Sequence, residues 1–77
     1  MADVKGLVEY VARSLVESQE VVEVTEIHTR HGMVVRLHVA PDDMGRVIGK
    51  DGRIANAMRT LARVNAPRGD RVSLDID

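Results

Sequence analysis

The sequence predicts a small α+β fold in the order α-β-β-α-α-β, a three-stranded mixed sheet carrying three helices on one face. Three observations predict it. Apolar residues recur at helical spacing over two long stretches, 3 to about 18 and about 52 to 65. Apolar and polar residues alternate over Met33–Val39 and Val72–Ile76, the signature of half-buried strands. A chain of 77 residues holds one domain of two layers around one core, so 1–77 is expected to be a single domain.

Each element has its own justification. Asp3 is a natural N-cap, and Val4, Leu7, Val8, Val11, Ala12 and Leu15 follow on one stripe, with Lys5, Glu9, Arg13 and Glu17 away from it. Val21 to His28 is rich in β-branched residues and reads as a strand. Arg30-His31-Gly32 supplies a turn, with Gly32 able to take positive φ. Met33, Val35, Leu37 and Val39 then alternate with Val34, Arg36 and His38 to complete a hairpin. Pro41-Asp42-Asp43 opens a short helix, proline suiting its first turn and aspartate its free amides. A longer helix from about Gly52 to Asn65 is expected to turn Ile54, Ala57, Met58 and Leu61 inward, and Arg53, Asn56, Arg59 and Arg63 outward. Ala66-Pro67-Arg68-Gly69-Asp70 breaks it, and Val72, Leu74 and Ile76 form the last strand. About thirty residues separate the second and third strands, enough for a right-handed crossover that brings them back parallel. The central strand is then the second, antiparallel to the first and parallel to the third.

Composition narrows the functional classes. The chain is 44% hydrophobic and 30% charged, the balance of a globular protein, and its lack of cysteine removes disulfides and thiolate metal sites. No apolar run approaches the roughly 18 residues of a membrane span, and no secretory leader is visible, so a cytoplasmic location without membrane attachment is expected. The net charge of −1 conceals an asymmetry: residues 1–43 balance to −4 and residues 44–77 to +3. A polyanion would therefore meet the C-terminal half. With Tyr10 the only aromatic, an aromatic stacking platform is excluded. His28, His31 and His38 lie near the hairpin and along the second strand without a carboxylate cluster, and no nucleophile or paired-carboxylate arrangement is readable. No cofactor, metal or enzymatic activity is expected.

The chemistry-bearing segment is Gly49-Lys50-Asp51-Gly52 between the two C-terminal helices. With six glycines in 77 residues, a Gly-x-x-Gly pair arises by chance roughly half the time, so context carries the signal. Val47 and Ile48 precede it, Ile54 follows, and helices flank it. Glycine at both ends permits a sharp turn and leaves no Cβ to hold a ligand's backbone away. The following helix points its free amides and positive dipole end at the loop, a phosphate-binding arrangement that Lys50 supplements. Val47, Ile48 and Ile54 are expected to floor an apolar groove for unstacked bases. Arg46, Arg53 and Asn56 would line its edge, and Arg36 or His38 the opposite wall.

The run from Gly45 to Ile54 resembles the signature of KH domains, whose GxxG loop clamps about four nucleotides of single-stranded nucleic acid. The element order is similar to the type II KH topology over essentially the whole chain, with the N-terminal helix and first strand at 3–28 and the KH core at 32–77. Ala40-Pro41-Asp42-Asp43-Met44-Gly45-Arg46-Val47-Ile48-Gly49-Lys50 resembles the small stand-alone bacterial KH proteins of the KhpA type. That resemblance implies a cytoplasmic RNA-binding protein that acts as an RNA chaperone or post-transcriptional regulator. It also implies a homodimer, a second KH protein of the KhpB (Jag/EloR) type as partner, and effects on cell elongation, division and shape. Asp51 departs from the expected charge: it leaves the loop neutral, so weak, salt-sensitive binding with little sequence preference is expected.

A second reading makes the same fold mainly a dimerisation or docking module. Ala55, Thr60, Ala62 and Val64, with Arg59 and Arg63, would offer a smooth surface on the last helix for another copy. The small residues among them have an equally plain explanation in packing against the sheet.

Overall fold

A computed structural model describes residues 3–66 and 71–77. The elements are α1 (Val4–Leu15), β1 (Glu23–Thr29), β2 (Gly32–His38), α2 (Met44–Ile48), α3 (Arg53–Val64) and β3 (Arg71–Ile76). Single 3-10 turns at Gln19–Val21, Pro41–Asp43 and Lys50–Gly52 precede β1, α2 and α3. The expected break at Pro67–Asp70 lies outside the described residues.

The sheet has the order β1-β2-β3, β2 antiparallel to β1 and parallel to β3. Its register places Val24 opposite Leu37, Met33 beside Val72, Val35 beside Leu74, and Leu37 beside Ile76. Those residues line the face that receives the helices. α1 packs on β1 and β2, α3 runs along β3, and the short α2 touches both long helices. Val4, Val8 and Ala12 of α1, Val35, Leu37 and Val39 of the central strand, and Met58 and Ala62 of α3 meet in one core. Side chains in register on the other face are polar in two rows, Glu23–His38 and Thr25–Arg36–Asp75.

Several boundaries move, each for a local reason. The Asp3 carboxylate accepts from the Gly6 amide, as expected of an N-cap. α1 stops at Leu15 rather than near 18, because Val16 turns into the core with extended backbone. The next two amides, Glu17 and Ser18, donate instead to the carboxylate of Asp43, at 3.1 Å each. β1 begins two residues later than expected, after the Gln19–Val21 turn. The hairpin closes on Arg30-His31, since Thr29 pairs with Gly32 at the head of β2.

The face of α3 is the larger correction. Ala57 and Leu61 point outward, Leu61 being 42% exposed, whereas Ala55, Met58 and Ala62 are buried against the sheet. The sequence pattern offers two overlapping stripes. The sheet takes the one with smaller residues, because alanine lets the helix lie close to β3 while Met58 fills the remaining space.

Candidate nucleic-acid interface

The loop between α2 and α3 is built around two glycines with different obligations. Gly49 ends α2 with φ 75° and ψ 173°, and its amide donates to the Gly45 carbonyl at 2.9 Å. A Cβ there would lie 2.7 Å from Cγ1 of Ile54, so the half-buried isoleucine packs over a bare Cα. This contact explains why Ile54 stands five positions after Gly49. Gly52, at φ 76° and ψ 15°, is left-handed and opens α3, and its amide closes the turn onto the Gly49 carbonyl at 3.1 Å.

Asp51, the apparent anomaly in the charge pattern, has a conformational reason. Its φ of 56° and ψ of 24° make it the only described non-glycine residue with positive φ. Aspartate is among the few side chains that adopt this region routinely. Two successive left-handed residues fold the chain into α3 with Lys50 and Asp51 both projecting into solvent. No side chain caps the start of α3, so its dipole end faces a loop that carries Lys50 and Asp51.

The remaining predicted residues divide into those that reach the loop surface and those that do not. Lys50 and Arg53 are exposed and pair with none of the described carboxylates. Ile48 and Ile54 are half-buried on either side of Gly49 and supply the apolar strip. Asn56 is exposed, and its side-chain oxygen accepts from Arg59 at 3.1 Å. Val47, by contrast, is fully buried and belongs to the core beneath the strip rather than to its floor. Arg36 and His38 lie on the far face of the sheet, beside Asp75 and Asp77, and form no wall for this groove.

Arg46 is already engaged. One guanidinium nitrogen donates to Asp43 at 3.0 Å and to the Asp42 carbonyl at 3.3 Å, while the other donates to Glu17. Asp43 does not cap α2 as its position suggested. Its carboxylate, 2% exposed, faces inward, with one oxygen receiving Glu17 N and Arg46 and the other receiving Ser18 N. The two amides, aided by Arg46, hold its carboxyl below the usual carboxylate range against the opposing effect of burial.

Gly45, at the head of the Gly45–Ile54 run, was not among the expected contact residues. It lies in α2 on exposed backbone, and a Cβ built there would meet nothing within 4 Å. Glycine in a helix costs about 1 kcal/mol relative to alanine, and no internal contact requires it here. Gly45 stands one helical turn before Gly49, whose amide donates to its carbonyl.

On the outer side of α3, Ala57, Leu61 and Val64 form an exposed apolar strip at helical spacing, Val64 being 76% exposed. Arg59, Thr60 and Arg63 are exposed beside it, whereas Ala55 and Ala62 are part of this chain's own core and unavailable to a partner. Among the described residues no helix is long and apolar enough to cross a membrane, and no group of three histidine or carboxylate side chains converges.

Known proteins match the sequence over most of its length. A family model described as KhpA/KhpB, KH domain, matches residues 5–76. The chain is 52% identical over 60 residues to a protein of Caldanaerobacter subterraneus called RNA-binding protein KhpA, covering 78% of this chain and 80% of the relative. Proteins with the same description are 44% identical in Aquifex aeolicus, over 99% of this chain and 98% of the relative, and 44% identical in Mycobacterium tuberculosis, over 95% and 91%. Among solved structures none matches the chain significantly.

Proposed function

The chain belongs to the KhpA/KhpB family of KH domains, and from that premise we propose that it binds single-stranded RNA at the Gly49–Gly52 loop. The observation that carries this reading is the loop itself. Two positive-φ glycines bracket exposed Lys50 and Asp51 at the uncapped start of α3, with Ile48 and Ile54 beside them. The phosphodiester backbone lies over the bare loop, Lys50 and Arg53 neutralise phosphates, and bases rest on the isoleucine strip. Gly45 extends the bare track one turn upstream. Arg46 serves by holding α2 rather than by meeting phosphate.

With two phosphates neutralised on a single strand, log Kd should rise with log salt at a slope of about 1.4, or about sevenfold weaker binding between 50 and 200 mM salt. Fluorescence anisotropy with a labelled single-stranded oligonucleotide measures it directly. Binding absent at low salt would remove the reading. An equal affinity for the DNA oligonucleotide of the same sequence would remove the preference for RNA.

A second reading has its own observation, the exposed Ala57-Leu61-Val64 strip. Two copies meet through this face of α3, flanked by Arg59, Thr60 and Arg63, and present two loops to one RNA with a gain in avidity. The same surface suits a second KH protein of the KhpB (Jag/EloR) type. Sedimentation velocity is expected to give a dimer for the wild type and a monomer for Leu61→Glu; a wild type that stays monomeric at high concentration disproves the dimer. The cellular role follows as part of the same proposal: a cytoplasmic RNA chaperone or post-transcriptional regulator acting in cell elongation and division, tested by crosslinking to transcripts in cells.

A further inference from the structure

We propose that Asp43 is a positioning residue for the nucleic-acid interface: its carboxylate fastens α2 to the connection after α1 and thereby sets the pose of the Gly49–Gly52 loop. The inference rests on the RNA-binding reading for its function, but its structural half is independent of it.

α2 has five residues. A helix so short has no stability of its own and takes its orientation from whatever holds its ends. Its C-terminal end runs straight into Gly49, a residue with no side chain. Val47 anchors its middle in the core, and its N-terminal end carries its polar attachment. Asp43 spends neither oxygen on capping α2 and turns both toward the main chain of Glu17 and Ser18, at 3.1 Å each. Two consecutive amides on the two oxygens fix the plane of the carboxylate, as a single hydrogen bond does not.

Arg46, one turn on, completes the fastening. It bonds to Asp43 on one side and to the Glu17 carboxylate on the other, so Asp43 and Arg46 both hold Glu17 of the α1–β1 connection, and Asp43 holds Ser18 as well. The groups facing Asp43 are thus Glu17 and Ser18 from one element and Arg46 from the other. Every buried side-chain polar atom among the described residues has a partner, so the arrangement leaves no slack in the burial of this charge. A binding surface holds its geometry only when supporting groups behind it are locked in this way.

The test separates support of the fold from support of the loop. Asp43→Asn keeps the shape but offers an NH2 where an oxygen accepts an amide, so one attachment is replaced by a repulsion. In the folded variant, affinity for a labelled single-stranded RNA should fall about tenfold, the scale of losing a group that orients a binding residue. In the free protein, the backbone amide signals of Lys50, Asp51 and Gly52 should shift, although they are seven or more positions from the substitution. Ser18→Pro is the second variant. It deletes one donor from the opposite side, leaves 42–54 unchanged, and should move the same loop signals if Asp43→Asn does not fold.

A folded Asp43→Asn protein with wild-type affinity and unmoved loop signals overturns the proposal. So does a folded Ser18→Pro protein with unmoved loop signals. If the wild type itself binds no RNA, the functional reading fails, and the loop signals still decide whether Asp43 positions the loop.

Discussion

Replacing Lys50 by Asp is expected to weaken single-stranded RNA binding by about 30-fold while leaving the fold intact. The magnitude follows from charge. Lys50 is exposed, so each unit of charge acts on a neighbouring phosphate through nearly full solvent screening, about 1 kcal/mol at contact distance. The substitution removes one positive charge and adds a negative one beside Asp51, a change of about 2 kcal/mol, or 30-fold in Kd. Lys50→Ala, which only removes the charge, should cost about fivefold. The salt dependence should also flatten by about 0.7 in slope, since one phosphate is no longer neutralised. Because residue 50 is exposed, the urea midpoint should move by less than about 0.5 kcal/mol equivalent. Anisotropy titrations at several salt concentrations measure the two affinities and the slope, and urea unfolding measures the midpoint. A Lys50→Asp protein that binds as the wild type does would mean that RNA is not held at this loop.

The largest effect on stability is expected at Gly32. The head of β2 lies alongside the head of β3, Gly32 paired with Arg71, at φ +153°. A Cβ at Gly32 would stand 2.1 Å from the Arg71 carbonyl oxygen and 2.9 Å from its carbonyl carbon. Backbone atoms in a paired strand cannot step aside as a flexible side chain can. Gly32→Ala must therefore separate the two strands at their start or bend the hairpin, and a loss of about 3 kcal/mol is expected. A chain of this size has roughly 4–12 kcal/mol in total, so the variant keeps only part of its stability. Gly45→Ala is the control, because a Cβ there meets nothing and the helix gains about 0.5–1 kcal/mol. Urea unfolding should move the two midpoints in opposite directions. Equal midpoints for Gly32→Ala and wild type would contradict the parallel pairing of β2 and β3 at this end.

How far these features could be read without coordinates depends on the range of the forces involved. Asp3, the α1 stripe and the alternation of Met33, Val35, Leu37 and Val39 are local patterns, and they are legible because helix and strand repeat every 3.6 and 2 residues. The loop was legible for the same reason: Gly49, Gly52 and Ile54 act on one another within six positions. Asp51 was visible as an oddity but not explained, since only its left-handed backbone supplies the reason.

Ambiguity began where one helix offered two faces. Ala57 and Leu61 fit an inward stripe as well as Ala55 and Ala62 do, and the choice was made by how closely α3 approaches β3. Val47 looked like groove because it sits beside Ile48, yet a five-residue helix turns neighbours in different directions, one into the core and one to its margin.

The sequence by itself determined the order of elements, the mixed three-stranded sheet and the position of the loop, because each follows from periodicity and from what glycine and proline permit. Only the tertiary structure decided which cations are free and which carboxylate is buried. Arg46 and Lys50 look alike in the sequence, but Arg46 is held by Asp43 and Glu17 while Lys50 projects from the loop. Glu17 and Asp43 stand 26 positions apart, and no local pattern brings them together. The packing of α2 against the end of α1 does so, and a buried carboxylate takes whatever donors that packing provides.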